Sequence, residues 1–317
     1  MRRRGGMGGA GKVVLVAGLW FTAARAWGQT SPSQAQLAAD SLFVAPAPAS
    51  RGVGLGDADT SVSFIDTALP LSQLRLRYDD VFRDRRPTRA EYLFPKGGLP
   101  ETNIDYQELS AQLEYLVMPE FSVFFETPWR IVNPDINRNS SGIGDVNTGF
   151  KWAFVTVPDL VATFQLRTYI PTYSGTELST KHVSLEPALL ANHRLAEWLT
   201  LEGEFRWWVP VGGSDFAGDI VRYGLGLAFG ERSEEGLWLK PVVEMVGWTV
   251  LHGKTAAAQS PTNFGVESAK GDTILNGTLG LRAGYENLAD WYFGYGRGLT
   301  GDTWYKEVFR MEFRWFY

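Results

Sequence analysis

No cysteine occurs anywhere in the 317 residues. Disulfides are therefore excluded, and stability has to come from hydrogen bonding and burial. Long apolar runs are missing as well: after residue 26 no stretch approaches 18 apolar residues. That excludes a membrane-spanning helix, so any crossing of a bilayer by the rest of the chain would have to be a closed β-barrel. Neither sign of charge dominates, with 30 Lys and Arg against 35 Asp and Glu for a net charge of −5. A basic stripe is absent, and with it the usual footprint of a nucleic-acid partner. His193 and His252 stand alone and nothing has zinc-site spacing. No Gly-rich phosphate cradle leads into a helix. No metal and no cofactor are expected.

What the chain does have is aromatic residues, 14 % of the total, and 35 glycines. Its N-terminus carries Arg2, Arg3, Arg4 and Lys12, then the apolar run Val13 to Phe21, then Ala24-Arg25-Ala26. This is the layout of a secretory signal peptide, here 1–26, with a core too short to span a bilayer. No Cys follows it to take a lipid anchor. Residues 27–65 are rich in Ala, Ser, Pro, Gln and Gly and read as a flexible periplasmic segment.

Residues 66–317 alternate. Leu74, Leu76 and Tyr78 are separated by Arg75 and Arg77; Leu109, Ala111, Leu113 and Tyr115 by Ser110, Gln112 and Glu114. The same period recurs at Phe121–Trp129, Val146–Phe154, Ala162–Ile170, Leu199–Trp207, Val221–Phe229, Leu237–Trp248, Thr273–Tyr285, Trp291–Leu299 and Phe309–Tyr317. Period two with one apolar and one polar face is a β-strand. About 12 segments of roughly ten residues match the length a tilted membrane strand requires. Connections alternate too. Met118-Pro119-Glu120, Val157-Pro158-Asp159, Leu195-Ala196-Glu197 and Leu288-Ala289-Asp290 read as one repeated tight turn, with longer polar loops between them. The fold expected is all-β: a transmembrane antiparallel up-and-down β-barrel of about 12 strands.

The last strand resembles the C-terminal signature of bacterial outer-membrane proteins, ending on Tyr317 where Phe is usual. That resemblance implies the barrel-assembly machinery and outer-membrane lipid as partners. A second resemblance lies in Ser141-Gly142-Ile143-Gly144-Asp145-Val146, continuing to Lys151-Trp152. It is similar to the Ser-Gly-x-Gly-Asp…Lys-Tyr/Trp stretch of an outer-membrane transporter-like family associated with phenol (meta-pathway) degradation genes. Phe293-Gly294-Tyr295-Gly296, with Leu299 to Asp302 after it, resembles a late hairpin of that family. The likeness covers roughly Leu71 to Tyr317 and brings no transport site with it.

If the apolar face meets lipid, the charged face must meet water or itself, because a charge facing lipid at mid-depth costs about 2–4 kcal/mol. The pore-lining candidates are Arg75, Arg77, Glu126, Arg130, Asp145, Lys151, Arg167, Glu202, Glu204, Arg206, Lys240, Glu244, Arg282, Arg310, Glu312 and Arg314. Asp145 and Lys151 are expected on one strand face as a lumen ion pair. Glu202 and Glu204 are expected to pair with Arg206 rather than to act as an acid–base couple. Gly224, Gly226, Gly294, Gly296 and Gly298 are expected to leave a path open beside them. Tyr115, Trp129, Trp152, Trp207, Trp248, Trp291 and Tyr305 read as interfacial girdles. His182 and Ser184 share one face, as a hydrolase pair would, but point inward. The function expected is passive movement of a small polar or aromatic solute. The rival is a structural or adhesive barrel whose lumen is plugged by its own salt bridges; an integral-membrane hydrolase is a distant third.

Overall fold

The computed structural model describes residues 60–84, 103–172, 178–212, 218–233, 235–260, 263–300 and 305–317. Residues 1–26 and 27–59, and the end of the late hairpin at residues 301–302, lie outside them. In chain order the strands are β1 (Gln73–Asp84), β2 (Ile104–Met118), β3 (Phe121–Pro134), β4 (Ser140–Ile143) and β5 (Val146–Val157). Then come β6 (Leu160–Ile170), β7 (Val183–Ala196), β8 (Leu199–Val211), β9 (Ile220–Phe229) and β10 (Leu237–Val250). β11 (Lys254–Ser260), β12 (Asn263–Ser268), β13 (Thr273–Tyr285), β14 (Ala289–Gly298) and β15 (Glu307–Phe316) complete the set.

Sequential antiparallel pairing and one closing contact make a barrel of 12 strands. β1 closes it: Leu76 faces Phe313 of β15 on one side and Ala111 of β2 on the other. β4 and β5 together form one stave, since β3 pairs with β4 through Trp129–Val132 and with β5 through Phe121–Glu126. β11 and β12 form a separate hairpin between β10 and β13. Two-residue turns at Pro119-Glu120, Pro158-Asp159 and Glu197-Trp198 define one rim, with Glu286–Leu288 on the same side. Ala289 and Asp290, placed in a turn by the sequence pattern, already belong to β14. The longer connections leave from the opposite rim, the arrangement of outer-membrane barrels.

The strands alternate inside out relative to a soluble protein. Along β10, Leu239, Val243 and Met245 are exposed while Lys240, Glu244 and their neighbours of the same parity are buried. Leucine, Phe and Trp therefore form the outer belt, which only an apolar solvent makes favourable. Inside, ring size is matched by missing side chains. Tyr292 of β14 lies flat across Gly280 of β13, where an added Cβ would come within 2.2 Å of its hydroxyl oxygen.

Candidate functional site

The barrel interior is not an empty tube. Residues 60–72 enter it from the short-turn rim, rise to mid-height and return to start β1. Thr60, Ser61, Val62, Phe64, Ile65, Ala68 and Leu69 are all buried there. The last six residues of the segment expected to be flexible and periplasmic, Thr60–Ile65, are thus inside the barrel. Their main chain has no sheet partner, so the lumen charges supply one.

The contacts form a ladder. Ser61 and Val62 donate their amides to Glu202 of β8, at 2.8 and 3.3 Å. Ser63, Phe64 and Ile65 donate theirs to Glu244 of β10, at 3.1, 2.9 and 3.0 Å. The Asp66 amide goes to Glu204, at 3.1 Å. On the acceptor side, Arg314 bonds the Thr60 carbonyl at 2.8 Å and Arg282 those of Ser61 and Val62 at 2.7 and 2.8 Å. Arg310 bonds the Ser63 carbonyl at 2.6 Å, and Arg222 that of Phe64. A buried carboxylate or guanidinium is costly unless its hydrogen-bonding capacity is filled, and the loop supplies a share of the partners.

Asp66 is the hub. Its carboxylate lies 2.6 Å from Arg167, 2.7 Å from Arg206 and 3.4 Å from Arg75. Burial alone would raise its pKa, but the guanidiniums of Arg206, Arg167 and Arg75 outweigh that and hold the carboxyl well below the usual range. Around the hub the charges satisfy one another. Glu126 takes Arg77 at 3.0 Å and Arg167 at 2.9 Å, and Glu204 takes Arg206 at 2.7 Å and Arg222 at 2.9 Å. Arg282 bridges Asp290 and Glu312, both at 2.7 Å; Arg314 holds Asp290 and Arg310 holds Asp79. Arg130 pairs with Glu108. Lys240 is buried on the same interior face.

Three expectations need correction. Lys151 bonds Glu114 of β2 at 3.0 Å, while Asp145 accepts from the amide and hydroxyl of Thr180 at 3.1 and 2.9 Å. Six residues of strand separate the two by about 20 Å, too far to pair. The glycines do not leave an open path: Val62 and Ile65 of the loop occupy the hollows over Gly226 and Gly224, and Tyr292 fills the one at Gly294. Trp248 and Tyr305 are buried and packed edge to face inside, with ring centres 6.4 Å apart, whereas the other five girdle aromatics are exposed. Trp248 has the parity of Lys240 and Glu244, which already placed it inward.

Glu204 pairs with Arg206 as expected, at 2.7 Å, whereas Glu202 accepts from Thr60, Ser61 and Val62 of the loop. His182 and Ser184 are buried, with His182 Nδ1 at 2.9 Å from the Thr180 carbonyl oxygen. Sequence reasoning missed Asp66, Asp79, Glu186 and Asp290. Asp79 shares its face with Arg75 and Arg77, so alternation carried that signal; Asp66 lies outside any strand and gave none.

Above the loop, towards the long-loop rim, a cavity of about 200 Å³ remains. Phe64 of the loop lines it. Arg77, Glu126, Arg130, Arg167 and Glu186, on β1, β3, β6 and β7, and Asp145 just before β5, give it charged lining. Trp208, Ile220, Val246, Trp248, Tyr305 and Val308 give it an apolar and aromatic lining as well, and Arg206, Arg222 and Arg310, on β8, β9 and β15, line it too.

No family model matches the chain, and no curated protein matches it. Solved structures do. The COG4313 outer membrane channel from Pseudomonas putida F1 superposes with a TM-score of 0.54 at 12 % identity, covering 81 % of this chain and 100 % of that one. The NanC porin gives 0.49 at 9 % identity, over 76 % and 98 % of the two chains. The KdgM porin gives 0.43 at 9 %, over 77 % and 99 %. The fold is that of bacterial outer-membrane barrels.

Proposed function

We propose that this protein is an outer-membrane channel for passive movement of a small polar or aromatic solute, with the Thr60–Leu71 loop as its constriction. The observation that carries the reading is the cavity at the long-loop rim. Among the described residues it is a part of the interior left unfilled, and it brings charged and aromatic side chains together around the buried tip of the loop. A cavity of about 150 Å³ is enough to take up benzene. This one has room for a single ring carrying a polar group, in keeping with the resemblance to a family associated with phenol-degradation genes. The fold shared with an outer membrane channel supports the same reading.

The lumen candidates would act in two ways. Arg77, Arg130, Arg167 and Glu126 face the cavity and would set which ions and solutes enter. Glu202, Glu244, Arg282, Arg310, Glu312 and Arg314 would hold the constriction. Export through the segment 1–26, and recognition of β15 by the barrel-assembly machinery, belong to the same proposal.

A second reading has one observation in its favour: the loop fills the lower lumen. On that reading the barrel is a plugged scaffold acting through its long loops. Single-channel recording in a planar bilayer across a salt gradient, with liposome swelling for uncharged solutes, separates the two. Discrete openings or swelling support the channel. A folded, inserted barrel that never conducts and never swells vesicles supports the scaffold.

A further inference from the structure

We infer that the lumen is a binding site for a peptide main chain, whose resident ligand is Thr60–Asp66 and which accepts an unlinked peptide of the same sequence once that loop is loosened. The inference concerns what the lumen binds and does not depend on solute passage.

Six consecutive amides, from Ser61 to Asp66, donate to three carboxylates of the wall. Five consecutive carbonyls, from Thr60 to Phe64, accept from four guanidiniums. A carboxylate only accepts and a guanidinium only donates, so the wall matches the two groups every non-proline residue carries. Convergence of three successive amides on Glu244 is a main-chain anion nest, a form set by backbone geometry rather than by side chains.

Side chains are used sparingly. Ser61 Oγ is buried with no hydrogen-bond partner. Val62 and Ile65 make only packing contacts, in hollows left by Gly226 and Gly224. Phe64 lies under Arg310, with the guanidinium 4.0 Å from its ring centre. Side-chain hydrogen bonds come from Thr60, Ser63 and Asp66. The ligand class follows: a seven-residue segment without proline from its second position onward, small or apolar in the middle, with a carboxylate at its end.

The test compares removal of an amide with removal of a side chain. In the intact wild-type protein, amide hydrogen exchange followed by mass spectrometry should show Ser61–Asp66 protected as a block; exchange there at the rate of a free chain would overturn the inference without any variant. Ser61→Pro deletes the amide bonded to Glu202 and should speed exchange over residues 62–66 by about tenfold or more, the scale of one charge-assisted hydrogen bond. Ser61→Ala should stay within about threefold of wild type. Equal effects of the two substitutions would show that the site does not read the main chain.

A fluorescent synthetic peptide of sequence 57–70, added to the Ser61→Pro protein, should bind saturably. The same peptide N-methylated at positions 63, 64 and 65 should not compete with it, while one carrying valine at position 65 should compete within about tenfold. Absence of saturable binding, or competition by the N-methylated peptide, would refute a main-chain site.

Discussion

Asp66 and Arg167 meet at 2.6 Å across 101 residues of sequence, one on the re-entrant loop and the other on β6. The contact ties the loop to the wall at the height where Arg206 and Arg75 also converge. Asp66→Ala leaves three buried guanidiniums facing one another. Removing one member of a buried ionic group costs about 3–5 kcal/mol. The loop should leave its seat, and single-channel conductance should rise over wild type. Unchanged conductance together with unchanged protection of the loop amides would show that Asp66 is not an anchor.

Gly226→Val asks a steric question of the same loop. A Cβ at Gly226 would stand 2.5 Å from Val62 Cγ1, so loop and side chain cannot both occupy the hollow. Overpacking of this kind costs about 1–3 kcal/mol. Gly236→Ala lies at a turn with nothing within 4 Å, although its φ of +77° adds some backbone strain. Conductance and loop exchange should increase in the first variant and not in the second.

Removing Arg206 reverses the charge imbalance made by removing Asp66. Its guanidinium serves Asp66 at 2.7 Å, Glu186 at 2.8 Å and Glu204 at 2.7 Å. Arg206→Ala leaves an excess of buried carboxylate beside the cavity and should shift reversal potentials towards cation preference, with a stability loss of about 3–5 kcal/mol. Reversal potential across a salt gradient reads the first effect and thermal unfolding the second. A wild-type reversal potential in an open variant would remove Arg206 from the selectivity of the pore.

Tyr292 and Gly280 make a prediction about the wall itself. Gly280→Ala would drive a methyl group into the tyrosine, whose hydroxyl also donates to Glu244 at 3.1 Å. The expected loss is about 1–3 kcal/mol, seen as a lower unfolding temperature. Tyr292→Phe keeps the ring and should lose about 1.5–3 kcal/mol through the hydrogen bond to the Glu244 carboxylate.

Much of the wall was legible because a strand has a period of two. Once Leu74, Leu76 and Tyr78 are set outward, Arg75, Arg77 and Asp79 must point in, and the structure places all three there. Alternation gives a face but not a partner. Lys151 finds Glu114 because β3, which lies between their strands in the wall, places only the small Ser122 between them, its hydroxyl bonding the same Glu114. Register across strands decides that, and no local pattern encodes it. Trp248 and Tyr305 went astray for another reason: an aromatic near a strand end suits a girdle equally well, and parity was the only distinguishing signal. The loop itself was hidden because residues 60–66 are recognised mostly through their main chain, which has the same groups whatever the side chains.

The loop also constrains how the barrel can be built. It precedes β1 directly, and β1 is the strand that joins the two ends of the wall. Its partners are spread over β8, β10, β13 and β15, up to 254 residues away in sequence. A wall that closed first would hold Glu202, Glu244, Arg282 and Arg314 buried without the main-chain hydrogen bonds of the loop, each lost bond leaving polar capacity unfilled. The expected consequence is a coupled assembly, in which residues 60–66 are enclosed as the β1–β15 seam closes; deleting them should slow closure, read as the appearance of the heat-modifiable folded form on a gel.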